Sequence, residues 1–150
     1  MSVWKPSVTV AAIIERDGRF LFVEEEADGR RVLNQPAGHL DPGESLVAAV
    51  AREVLEETAH RFTPTALLGV YRWHYALKDV TFLRFAFRGH VDGVEQGREL
   101  DQEILALHWL TPQELAAHHA MHRSPLVERC VADYLAAKSF PLELLSREFA

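Results

Sequence analysis

The stretch "GHLDPGESLVAAVAREVLEETAH", Gly38 to His60, decides how this chain is read. From Ser45 it takes on a helical period. Val47, Val50, Ala51, Val54 and Leu55 share one face, and Arg52, Glu53, Glu56 and Glu57 share another. The spacing predicts a helix from about Ser45 to Thr58, entered through a Pro/Gly-rich loop. Glu53 repels Glu56 and Glu57 at i,i+3 and i,i+4, each pair costing an isolated helix about 0.2–0.5 kcal/mol. All three also sit toward the negative end of the helix dipole, at a further cost of ~0.3–1 kcal/mol each. Arg52 can pair with Glu56 four residues on, and a solvated acidic face would need nothing more. The loop in front tips the balance. A Gly/Pro-rich turn brings backbone carbonyls near the carboxylates, and together they offer hard oxygen ligands to Mg²⁺ or Mn²⁺.

The rest of the chain is consistent with a small metal-dependent protein. Its 150 residues, 48% of them hydrophobic, suit a single domain spanning 1–150. A net charge of −6 argues against nucleic-acid polymers as partners, since phosphate-backbone affinity comes mainly from clustered Lys and Arg. The start "MSVWKPSVTV" lacks a basic region followed by an apolar one, and no apolar run is long enough to span a bilayer. The expectation is a cytoplasmic protein with no membrane partner. Cys130 spaces with Leu126, Val127, Val131, Tyr134 and Leu135 like one apolar helix face and reads as core.

Upstream, Val8, Val10, Ala12 and Ile14 alternate, and after the turn "RDGR" come Phe20 and Phe22, a pattern that predicts a β-hairpin pinned by Asp17-Gly18. The "EEE" of Glu24 to Glu26 reads as a solvated strand end, with one of them near the metals as the alternative, and "VLNQPAGHLDPGES" as a structured loop. Downstream, "TALLGVYRWHYAL", "TFLRFAFRGHV" and "EILALHWL" read as strands, with Leu83, Phe85 and Phe87 opposite to Phe82, Arg84 and Arg88. Thr111, Pro112 and Glu114 form a capping box for the helix that follows, and a last helix starts near Pro125 with Ser124 as cap. The fold class is α+β, a sheet packed against helices on its faces.

Gly38, Glu44, Arg52, Glu53, Val54, Glu56 and Glu57 fall in register with the Nudix box, and the segment resembles that family. With residue usages of roughly 5–10%, six fixed identities in register arise by chance on the order of once in 10⁷ starting points. The match departs at its end, where Ala59 stands for a glycine and His60 for an apolar residue. Outside the box, "VTVA", "NQPAGHL", "FLRF", "RSPLV" and "PLELL" look like the NudJ-type Nudix phosphatases, with Leu33 where that group tends to carry Trp.

The resemblance implies an α/β/α sandwich with a mixed central sheet and helices on both faces. It also implies a hydrolase in which water attacks the phosphorus of a small phosphoanhydride. NudJ-type substrates are nucleoside di- and triphosphates and the pyrophosphate of the thiamine pyrimidine precursor (hydroxymethylpyrimidine). By position, Gly38, Glu53, Glu56 and Glu57 hold Mg²⁺ or Mn²⁺, and Arg52 orients the carboxylates. The general base is open between Glu53, Glu44 and an acid beyond the box, for which Glu103 is the first choice and Asp101 the second. Nudix domains occur as monomers and homodimers, and both states stay open.

Arg84 is a candidate phosphate anchor, with Arg88 better suited to a sheet-edge role. Tyr71 and Trp73 share a strand face with Tyr75 and are candidates to stack a base, although aromatics at strand spacing more often fill a core. His118 and His122 stand i,i+4 in "AHHAMHR", a spacing that can bind zinc but lacks the glutamate of HExxH, and the pair reads as a solvated helix end. Two rival functions remain: a hydrolase of sugar-nucleotide or dinucleotide diphosphates, and a non-catalytic Nudix-fold regulator that senses a phosphorylated metabolite.

Overall fold

The computed structural model describes residues 2–145. The strands are β1 (Ser7–Ile13), β2 (Glu15–Arg16), β3 (Arg19–Ala27), β4 (Arg30–Asn34), β5 (Ala37–His39), β6 (His60–Tyr75), β7 (Val80–Val94) and β8 (Ile104–Leu110). The helix α1 (Leu46–Thr58) lies between β5 and β6, and α2 (Pro112–Ala117) and α3 (Leu126–Leu135) follow β8. Single 3₁₀ turns occupy His119–Met121 and Leu142–Leu145. One sheet has the order β5-β1-β7-β6, with β1 parallel to β7 and the other neighbours antiparallel. In the second, antiparallel sheet, β3 pairs with β8 along one edge and with β2 and β4 along the other.

Alternation along the strands builds two cores. Val10, Ala12, Leu21, Leu67 and Phe87 face α1 and pack on Ala49, Val50 and Val54. Their neighbours one step along, Ile13, Phe20, Phe22, Leu68 and Ala86, face the other way onto Leu115 of α2 and Val127, Cys130 and Val131 of α3. Successive strand residues point to opposite faces, so helices on both faces bury both sets. Such strands read as continuous apolar runs. Burying one side chain the size of Phe87 contributes roughly 1.5–3 kcal/mol. Cys130 is core, as its spacing predicts, whereas Leu135 at the end of the same helix is 57% exposed.

Two parts of the sequence reading change. The Asp17-Gly18 turn is present, with φ of 52° and 78°, the double positive φ of a type I′ hairpin. Its first arm, however, is only Glu15–Arg16, because Ser7–Ile13 pairs with β7 and β5 in the other sheet. Ile13 and Ile14 are both 1% exposed, which breaks the alternation where the chain crosses between sheets. "VLNQPAGHLDPGES" is also more than a loop: Val32–Asn34 complete β4 and Ala37–His39 form β5. Pro36 separates the two and accepts the Ala12 N–H through its carbonyl at 3.0 Å.

Helix ends follow the sequence closely. The Ser45 hydroxyl accepts the Ala48 N–H at 2.9 Å, the Thr111–Glu114 capping box is complete, and the Ser124 hydroxyl accepts the Leu126 N–H at 3.1 Å. The edge strand β6 is bridged midway, where Leu67 and Phe140 exchange two backbone hydrogen bonds of 2.8 Å. No helix among the described residues is long and apolar enough to cross a membrane.

Candidate metal and substrate site

The last turn of α1 sets the site. Ala59 ends the helix in the left-handed region at φ 60°, ψ 10°, with its N–H on the Leu55 carbonyl. Three further carbonyls, of Glu56, Thr58 and Ala59, find partners elsewhere. Asp101 N–H donates to Glu56 O at 3.1 Å and Glu95 N–H to Ala59 O at 2.8 Å. The His60 ring meets Thr58 O through Nδ1 at 2.8 Å, and since a carbonyl only accepts, Nδ1 is the donor. These bonds answer the need of a helix terminus for external donors. One of them draws Asp101 against the carboxylates.

Arg52 is the clamp. Its Nε and Nη2 grip Glu44 at 2.9 and 2.6 Å, and Nη1 reaches Glu53 at 2.9 Å and Glu56 at 3.2 Å. Glu44 in turn accepts the Asp41 N–H at 2.9 Å, and Nη2 of Arg52 donates to the His39 carbonyl at 3.0 Å. The loop and the helix face are thereby locked together. Gly38 lies so close to Glu53 that a Cβ at position 38 would overlap its carboxylate. Glu57, 5% exposed, accepts the Ala37 N–H at 2.9 Å.

These groups form one end of a cavity of about 520 Å³. Glu53, Glu56, Glu57, Asp101, Glu103 and Glu25 line it, together with Gly38, Asn34, Arg84, Arg123, Lys78, Trp73 and Phe82. Glu53, Glu56 and Asp101 each bring a carboxylate oxygen within 4.8 Å of the others. Hard oxygens in that number suit a divalent cation of the Mg²⁺ type, and the bare Cα of Gly38 leaves the room a side chain would fill. Arg84 is 6% exposed and donates to Gln35 Oε1 at 2.9 Å and Asn34 Oδ1 at 3.0 Å. Among the described residues no carboxylate pairs with it. Trp73 stacks between Tyr75 and Phe82, at centroid distances of 5.1 and 5.6 Å.

The electrostatics record the crowding. Burial pushes the Glu57 carboxyl up to about 9 against the Ala37 hydrogen bond, and Glu25, Glu53 and Asp101 push the same way. Burial likewise raises Glu53 to about 7, opposed by Arg52. Asp101 is raised by desolvation and by Glu56 and Glu103. Glu44 is lowered by its hydrogen bonds from Arg52. Glu53, Glu56, Glu57 and Asp101 crowd one end of the cavity with Arg52 as the guanidinium that reaches two of them, an arrangement that a bound cation relieves.

The match to the Nudix domain model spans residues 4–130. The chain belongs to the Nudix family. Phosphatase NudJ of Escherichia coli K12 is 36% identical over 143 residues, 95% of this chain and 92% of the relative. A solved Nudix hydrolase from Nitrosomonas europaea superposes with a TM-score of 0.94 at 50% identity, covering 96% of this chain and 98% of that one. A MutT Nudix hydrolase from Burkholderia pseudomallei, at 23% identity and TM-score 0.74 over 87% of this chain and 98% of that one, shares the fold. The α/β/α Nudix architecture expected from the box is the one observed, and the chain is a hydrolase of this phosphoanhydride-cleaving family.

On the Nudix scaffold the candidate residues divide. Gly38, Glu53, Glu56, Glu57, Arg84, Trp73 and Glu103 all reach the cavity. Glu44 does not line it and is engaged by Arg52, which makes it part of the clamp. Tyr71 also lies elsewhere, packed on the α3-side core with its hydroxyl donating to Asp133 at 2.6 Å. Asp101, the second choice of distal acid, joins Glu53 and Glu56 in the carboxylate cluster that could hold a cation, while Glu103 is exposed on the cavity wall. Arg88 sits over the Tyr134 ring and donates to Lys138 and Tyr134 carbonyls. His118 and His122 do not share a helix face, because α2 stops at Ala117. Glu25, read as a solvated strand end, is 7% exposed, paired with Arg123 at 2.8 Å and turned toward Glu57. The signal for it was the parity of β3: Glu25 continues the inward series Leu21, Val23.

Proposed function

We propose that this enzyme is a divalent-metal-dependent hydrolase, in the cytoplasm, of nucleoside di- and triphosphates and small pyrophosphates, including that of hydroxymethylpyrimidine. Mg²⁺ or Mn²⁺ is the ion, and water attacks phosphorus. One observation carries the reading: a single cavity joins a partly buried carboxylate cluster to a wall holding Arg84, Arg123 and Trp73. When bound, a divalent cation supplies charge neutralisation on the phosphates and Lewis-acid activation of water. Glu53, Glu56 and Glu57, joined by Asp101, are the groups to hold it. Arg52 keeps Glu53 and Glu56 from splaying. Glu53 and Asp101 are best situated to accept a proton, ahead of the exposed Glu103. Arg84, balanced by neutral oxygens rather than by a carboxylate, retains charge for a phosphate oxygen. The row Tyr75–Trp73–Phe82 suits stacking against a planar heterocycle.

The test is release of phosphate and pyrophosphate from nucleoside di- and triphosphates, ADP-ribose, dinucleotides and pyrimidine pyrophosphates, with Mg²⁺ and with chelator. The expected result is turnover of a nucleotide or pyrimidine pyrophosphate that chelator abolishes. Outer-sphere changes at metal sites typically cost 10–100-fold, so Glu57→Gln, which removes a proposed ligand, should lower kcat by at least about 100-fold with an unchanged circular dichroism spectrum. Full activity in either condition overturns the metal assignment. Preference for ADP-ribose or dinucleotides selects the sugar-nucleotide reading, and tight binding without turnover the regulator.

A further inference from the structure

We propose a second metal site, outside the cavity, at His119, His122 and Glu128, selective for a borderline-soft ion such as Zn²⁺. One ligand atom from each lies within 4.8 Å of the others. His119 opens the 3₁₀ turn and His122 follows it. Side chains three apart on a 3₁₀ turn eclipse, and these two rings have centroids 5.2 Å apart. Glu128 comes from the first turn of α3, with Oε2 3.6 Å from His119 Nδ1. Tetrahedral zinc with bonds of 2.0–2.1 Å has ligand–ligand edges of about 3.3 Å, so a shift of a few tenths of an ångström completes that edge.

The second observation is how His122 is held. Its side chain is buried, at 9% exposure, and Nε2 lies 2.8 Å from the Leu115 carbonyl oxygen. The carbonyl can only accept, so the proton sits on Nε2 and Nδ1 keeps its lone pair. Ligating imidazoles are fixed in this way, the second nitrogen donating to a carbonyl or carboxylate. His119 and Glu128 stand open to solvent, with side-chain exposures of 77% and 46%, which leaves water as the fourth ligand. Two imidazoles favour Zn²⁺, Co²⁺ or Ni²⁺ over Mg²⁺, and the all-carboxylate cluster in the cavity has the opposite preference. The two sites therefore sort ions by donor chemistry. Occupancy pins the turn that leads into Arg123, whose N–H donates to Leu33 O and whose guanidinium holds Glu25 on the cavity wall.

Co²⁺ is the probe, because its visible bands report tetrahedral nitrogen and oxygen coordination. It is titrated into the full chain under saturating Mg²⁺. One equivalent should develop bands that Zn²⁺ then displaces. His119→Ala and Glu128→Gln, both at exposed side chains, should each weaken the Co²⁺ affinity at least about tenfold, while Glu57→Gln leaves it unchanged. Absence of bands in the wild-type protein, bands that survive both surface variants, or bands lost only in Glu57→Gln would overturn the site.

Discussion

Ala59 holds a left-handed conformation at φ 60° with its methyl buried, at 6% exposure. That backbone costs a residue with a Cβ about 1–2 kcal/mol, of which roughly 0.4–1 is returned because alanine restricts the unfolded chain more than glycine. Ala59→Gly should therefore stabilise the protein by about 0.5–1 kcal/mol, read as a rise in Tm of roughly 1–4 °C. A lower Tm would show that the buried methyl outweighs the strain. The neighbouring departure from the box has a different origin. His60 covers the Thr58 carbonyl through its ring and rests edge-on to Trp109 at 6.1 Å, contacts that an apolar residue could make only in part. Both substitutions are visible in the sequence, but the carbonyl that His60 serves is not.

At the scale of the element, α1 is a helix whose stability depends on what its carboxylates carry. Glu57 titrates at about 9 and Glu53 at about 7, both above the ordinary 4.5 of the unfolded chain. The native state thus binds these protons more tightly than the unfolded state. Their stabilising contribution is complete below about pH 4.5 and is lost as pH rises through 7 and 9. In chelator, Tm should fall between pH 5 and pH 9, Glu57→Gln should flatten the fall, and Mg²⁺ should restore Tm at the alkaline end. Thermal melts across that range test it, and a Tm that climbs with pH would sink the assignment.

The helix itself is legible in the sequence because its period and its acidic spacing are local. The sequence offers Asp101 only as an alternative to Glu103, since its place beside Glu56 depends on a backbone bond between segments 45 residues apart in sequence. Glu25 stands in a run of three glutamates that suggests solvent-facing charge and hides the strand parity turning it inward. The first arm of the hairpin differs for a related reason: alternation marks Val8 to Ile14 as extended but cannot say to which sheet the strand belongs, and only Glu15–Arg16 pairs with β3.

For the whole molecule, the two-faced sheets explain why the α/β/α layering could be inferred from the box while the strand partners could not. Both faces of β1, β3 and β7 are apolar, so burial pattern alone does not select neighbours. The same economy of layers leaves a long rim. β6 is an edge strand of 16 residues, and between its ends Phe140 supplies an outside partner through two hydrogen bonds to Leu67. An unpaired edge is a template for another chain. Phe140→Pro deletes the N–H that faces Leu67 O, and light scattering at rising concentration should show faster self-association than the wild type. Equal scattering would mean that the rim is guarded by other means. Faster association would make the short contact at Phe140 a stopper that keeps the sheet from recruiting a second copy, so that colloidal behaviour rests on a residue outside the cavity lining.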